Sequence, residues 1–164
     1  MEKIVFAGKL FAQLCACAAL LAVGIVDEKT YEIPPICTGI VFAAGVVQLL
    51  LDRHHLVMYL AGMFCVSLPL FLLLVFSRGR AIGGGDVKLM AAAGLLLGWK
   101  KALLALELGC ILGAVIHSLR VHFGSANHLL AFGPYLSAGI MIAMWWGDAL
   151  IQGYLSWVIR SSCG

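Results

Sequence analysis

Two short segments hold the residue types that can do chemistry. Asp27-Glu28-Lys29-Thr30-Tyr31-Glu32-Ile33-Pro34-Pro35 follows a long apolar run, and Gly83-Gly84-Gly85-Asp86-Val87-Lys88-Leu89 precedes another. Each presents one aspartate at the edge of apolar sequence, where an ionisable group is costly and tends to mark function. Taken alone, the first segment also reads as a solvated loop and the second as a flexible Gly-rich turn with an N-capping Asp. Taken together they offer a pair of carboxylates. Two carboxylates in one site do not both ionise cheaply, so one keeps a proton near neutral pH. The ionised one can act as general base on a water while the protonated one donates to a carbonyl oxygen. That is the chemistry of an aspartic protease, and it needs neither metal nor cofactor. The three glycines predict a bare backbone able to lie against an extended peptide.

The remaining composition defines the solvent. Of 164 residues, 63% are hydrophobic and 12% charged, against about 25% charged in a soluble domain. Mean hydropathy is +1.04. A chain this short cannot hide so much apolar surface from water, and it is too hydrophobic to be a disordered tail. A bilayer suits it. Net charge is only +3, with no Lys/Arg-rich run, which argues against nucleic-acid binding. Six cysteines occur without a C-x-x-C pair, so neither a disulfide framework nor a zinc site is expected. His54-His55 reads as an interfacial pair, and His117, His122 and His128 lack metal-site spacing on a helix.

The apolar stretches predict an all-α polytopic membrane protein of about six transmembrane helices, forming one domain over residues 1–164. They run from about Leu10 (or Ile4) to Val26, Ile33 to Leu51, Leu56 to Phe76, Val87 to Trp99, Ala102 to Leu119, and Ala131 to about Trp146. The first resembles a signal peptide in its charged start and apolar middle. The hydrophobic stretches that follow favour a retained span. The fourth is too short to cross alone. Arg120 to His128 is a polar connector, and Ala149 to Arg160 reads as an interfacial helix or an extension of the last span. With six spans, the connectors after the first, third and fifth share one face, which brings the Asp27 and Asp86 segments and Phe132 together. Asp52 and Asp148 fall on the other face. Glu107 and Lys100 stand seven residues apart and are candidates for a pair. Five basic residues belong to one face and six to the other, so charge does not orient the chain.

The spacing of Asp27 to Ile33-Pro34, with Gly83-x-Gly85-Asp86-x-Lys88-Leu89 and Phe132-Gly133-Pro134 ahead of Tyr135-Leu136-Ser137-Ala138-Gly139, resembles the type IV prepilin peptidases. These are polytopic aspartic proteases with a GxGD motif. The resemblance implies that Asp27 and Asp86 are the catalytic pair, with Pro34, Gly83, Gly85, Lys88, Phe132, Gly133 and Pro134 supporting them. It implies cleavage of the short basic leader of prepilin or pseudopilin precursors, in a bacterial inner membrane with the site facing the cytoplasm. Pro35 stands where family members often carry Asn. Larger members carry a methyltransferase segment with paired C-x-x-C motifs. None is present in this sequence, so methylation of the product is expected to need a separate methyltransferase.

Two expectations go beyond the resemblance. Glu28 and Glu32 flank Asp27 and form an acidic cluster suited to a basic leader. Lys88, within a turn of Asp86, is placed to bias its protonation or to contact an acidic residue past the cleavage site. The competing readings are a small proton- or cation-coupled transporter, whose acids belong near the bilayer midplane, and a non-catalytic assembly factor. Neither an H-E-x-x-H nor a G-x-S-x-G motif occurs.

Overall fold

A computed structural model describes residues 2–80, 82–122 and 131–162. Residues 123–130 of the polar connector, with His128, and also Cys163, lie outside the described residues. The described residues form six α-helices: α1 Glu2–Thr30, α2 Pro35–Leu51, α3 Leu56–Phe76, α4 Gly84–Leu97, α5 Trp99–His122 and α6 Gly133–Ser162, with a short 3-10 turn at Arg53–His55. Three stretches are long and apolar enough to cross a membrane: Val5–Thr30, Arg53–Phe76 and Trp99–His122. The chain is an all-α membrane protein, as its composition predicts. Large apolar side chains such as Phe6, Phe11, Phe64, Phe71 and Ile111 stand exposed on the outside, as lipid-facing positions require.

α4 is the centre of the bundle. It packs against α2, α3, α5 and α6, while α1 closes on α2 and α6. Ten of its fourteen residues are buried, the pattern of a helix surrounded by protein on all sides. At 1.5 Å per residue it spans about 21 Å, short of the roughly 30 Å hydrocarbon core. Small residues let it sit so deep. A Cβ on Gly62 of α3 would strike the Gly94 carbonyl of α4, and a Cβ on Gly94 would strike the Gly62 carbonyl. This is the close backbone approach by which membrane helices gain packing contact. One apolar core joins Ala16, Leu20, Val41, Val66, Leu89, Met90, Ala105, Leu136 and Ile140, drawing on every helix.

Several boundaries differ from the expectations. α1 does not stop at Val26 but continues to Thr30, because Asp27 extends the buried stripe Ala12, Ala16, Ala19, Leu20, Val23. Tyr31 then ends it in the left-handed region (φ 56°), with its N–H donating to the Asp27 carbonyl at 2.8 Å. Pro34 does not stand inside α2. It caps the helix in extended geometry, and Pro35 occupies the first turn, since a residue before proline is driven from helical backbone. Gly84 and Gly85 form the first turn of α4 rather than a flexible turn ahead of it. The fourth stretch ends at Gly98 (φ 78°), before Trp99. α6 runs unbroken to Ser162, so Ala149–Arg160 continues the helix that begins at Gly133 and is not a separate helix.

Candidate active site

The parity expectation is met. α1, α3 and α5 end where α2, α4 and α6 begin, and Arg120 near the end of α5 bonds Glu28 near the end of α1 at 3.1 Å. The opposite end is marked by Lys9, whose ammonium reaches Asp52 at 3.1 Å. Lys9 and Asp27 are eighteen residues apart on one helix, or about 27 Å. His55, then Lys9 and Tyr59, hold the Asp52 carboxyl low, at about 2. Lys101 pairs with Asp148. Both acids thus belong to ion pairs far from Asp27, as expected.

At the first end, Asp27 is 5% exposed and Asp86 7%, which removes the solvated-loop reading for Asp27. Asp86 sits in the first turn of α4 and bonds back to its N-cap, so the capping part of its competing reading holds. Each carboxylate is met by a helix N-terminus. The first N–H groups of a helix lack intrahelical partners and carry the positive end of its dipole. Gly133, the first residue of α6, donates its N–H to Asp27 Oδ2 at 2.9 Å. Pro134, next in line, has no N–H to offer. Asp86 lies in the first turn of α4, and its Oδ2 accepts the Gly83 N–H at 3.3 Å. One oxygen of each carboxylate is thereby committed to a glycine N–H.

Neighbouring residues fix this arrangement. Pro134 packs beside Gly24 of α1, where a Cβ would lie 3.7 Å from the Pro134 Cα. Phe132 lies against Gly113 of α5, 3.4 Å from a Cβ placed there. Ile33 packs on Gly85, where a Cβ would come within 3.0 Å, so the chain that leaves Asp27 rests on the first turn of α4. Burial, and next the Asp27 charge, push the Asp86 carboxyl up to about 6, partly offset by the Gly83 N–H. A neighbouring negative charge disfavours a second one, which is the direction of the Asp27 contribution.

The other predicted residues divide. Gly83, Gly85, Pro34, Phe132, Gly133 and Pro134 all gather at this end. Lys88 does not turn toward Asp86. Two residues on an α-helix differ by about 200°, and Lys88 is exposed while Asp86, Val87, Leu89 and Met90 are buried. Glu28 is held by Arg120, so Glu32 is the acidic side chain left available beside the site. Glu107 is exposed and Lys100 lies over the Trp99 ring at 5.6 Å instead of pairing with it. The Gly133–Asp27 bond and the Glu28–Arg120 pair were not foreseen. The stripe from Ala12 to Asp27 was the available signal for the first, and the shared parity of α1 and α5 for the second.

A polytopic helical membrane protein with two buried carboxylates at one end of the bundle is the class that fold and site define. Residues 14–118 match the model of the type IV leader peptidase family, and the chain belongs to that family. It is similar to the prepilin leader peptidase/N-methyltransferase of Legionella pneumophila, 38% identical over 78 residues, covering 46% of this chain and 27% of that protein. The protein of the same name from Aeromonas salmonicida is 39% identical over 84 residues, covering 49% and 28%. That of Burkholderia pseudomallei is 29% identical over 147 residues, covering 85% and 48%. The chain thus spans about a quarter to a half of the length of these relatives. No solved structure matches it.

Proposed function

We propose that the protein is an aspartic endopeptidase of the bacterial inner membrane, with residues 1–164 acting as one unit. It removes the short basic leader from type IV prepilin-like precursors, with its site open to the cytoplasm. The observation that carries this reading is the meeting of Asp27 and Asp86 at one end of the bundle, both buried and each bonded to a glycine N–H. The names of the relatives supply the substrate class.

The chemistry follows from the pair. The ionised carboxylate takes a proton from water as the water oxygen bonds to the scissile carbonyl carbon. The protonated carboxyl gives its proton to the carbonyl oxygen. The tetrahedral diol then collapses, the C–N bond breaks, and the amine leaves with a proton from the pair. Asp86 fits the protonated role because burial and the Asp27 charge favour its neutral form. Glu32, exposed five residues beyond Asp27, is placed to attract a basic leader.

Co-expression with a prepilin precursor is expected to shorten the precursor by the length of its leader on a gel. An unshortened precursor, together with collapse of a proton gradient in vesicles carrying the purified protein, favours the transporter reading. The position of both acids at one end, rather than at mid-depth, speaks against that reading.

A further inference from the structure

Four polar or charged side chains are buried among the described residues: Asp27, Asp86, Gln48 and Ser137. Gln48 lies toward the opposite end, where it bonds Tyr59. Ser137 lies one helical turn after Gly133, whose N–H bonds Asp27. It is 3% exposed, and its Oγ has no hydrogen-bond partner. A buried hydroxyl without a partner is unfavourable compared with alanine, so packing alone gives no reason for a serine here.

Its place on α6 is specific. Ser137 is four residues after Gly133, hence about 6 Å deeper and about 40° round the helix. Tyr135 and Gly139 face α5, packed on Gly113 and Gly109. Ser137 stands about 160° from both, turned toward the side where Gly133 meets Asp27. α1 runs antiparallel to α6, so the residue one turn beneath Asp27 is Val23. On α4 the residue one turn beneath Asp86 is Met90. Both are fully buried. On α1 and α4 the positions one turn beneath the carboxylates are thus apolar, whereas α6 offers a hydroxyl.

We propose that Ser137 Oγ is a positioning residue for the attacking water. This rests on the aspartic-peptidase reading above. Asp27 Oδ2 and Asp86 Oδ2 are taken by glycine N–H groups, leaving one oxygen of each carboxyl for the reaction. The water donates one hydrogen bond to the ionised carboxylate and the other to Ser137 Oγ, while the protonated carboxyl keeps its proton for the scissile carbonyl oxygen. With both hydrogens of the water held, a lone pair is fixed toward the scissile carbon.

The test compares the full-length chain with Ser137→Ala and Ser137→Cys in detergent, checking thermal midpoints first. Cysteine keeps the volume and accepts hydrogen bonds weakly. The expected result is a kcat about tenfold lower in both variants, KM unchanged, and a shift in the infrared C=O stretch of the protonated carboxyl. Wild-type kcat in either variant, or an unmoved band, overturns the proposal. The band is read without any substrate. If the aspartate-to-asparagine variants still cleave, the aspartic mechanism fails while the band still decides whether the hydroxyl reaches the carboxyl pair.

Discussion

Asp27→Asn and Asp86→Asn, made separately, are each expected to lower precursor cleavage by at least about 10³-fold, and the double variant little further. Groups that act as one unit are strongly non-additive. Asparagine can neither accept the proton from water nor return it, yet its amide oxygen can still take the Gly133 or Gly83 N–H. The loss therefore arises without loss of fold. Linkage strengthens the point for Asp86. Its carboxyl is raised from 3.8 to about 6 in the folded protein, so between these values the unfolded chain gives up the proton first. Folding stability falls as pH rises through that window and stays lower above it. Asp86→Asn removes this dependence. The variant should be at least as heat-stable as the native chain at pH 7–8 while inactive. Leader removal on a gel, with a thermal midpoint in detergent, checks both halves.

Gly133→Ala is the second large effect. The backbone there is not left-handed, so alanine is locally tolerated and helix formation does not suffer. The added Cβ, however, would lie 2.6 Å from Asp27 Oδ2 and 2.7 Å from its Cγ. Neither partner yields easily. Pro134 is packed beside Gly24, and Asp27 stands on the buried face of α1. The carboxyl must rotate away or α6 must shift, and either breaks the 2.9 Å bond. Displacements of about 1 Å at a reacting group cost about 10²-fold. That is the drop expected in kcat/KM, with the protein still in the membrane. Gly39→Ala, where a Cβ meets nothing within 4 Å, should cleave normally.

The sequence discloses the architecture through solvent physics. A chain so apolar needs helices in lipid, and the polar clusters mark their ends, so the parity of the connectors follows. Leu56–Phe76 coincides with α3, and the helix runs through Pro69 because so apolar a stretch keeps its helical backbone bonds in lipid despite one proline. Boundaries near the site were less legible. Asp27 looks like the start of a loop until its place on the stripe from Ala12 is noticed, since a charge usually ends an apolar run. Gly84 and Gly85 look like a flexible turn because glycine disfavours helix, yet the buried setting of α4 overrides propensity. The acids themselves were visible as residue types. Their partners were not, because the N–H of Gly133 is backbone and leaves no mark in side-chain chemistry. Lys88 and Glu28 show the converse. Closeness in sequence suggested a role at the site, while helix rotation carries one away and Arg120 holds the other.

The meeting of Asp27 and Asp86 is tested most directly by disulfide cross-linking in native membranes. On a background with the natural cysteines replaced, the pair Asp27→Cys and Asp86→Cys is compared with Asp52→Cys and Asp86→Cys. The account predicts rapid oxidation to an intramolecular disulfide in the first pair and none in the second. Failure of the first pair to link, or equal linking in both, contradicts it.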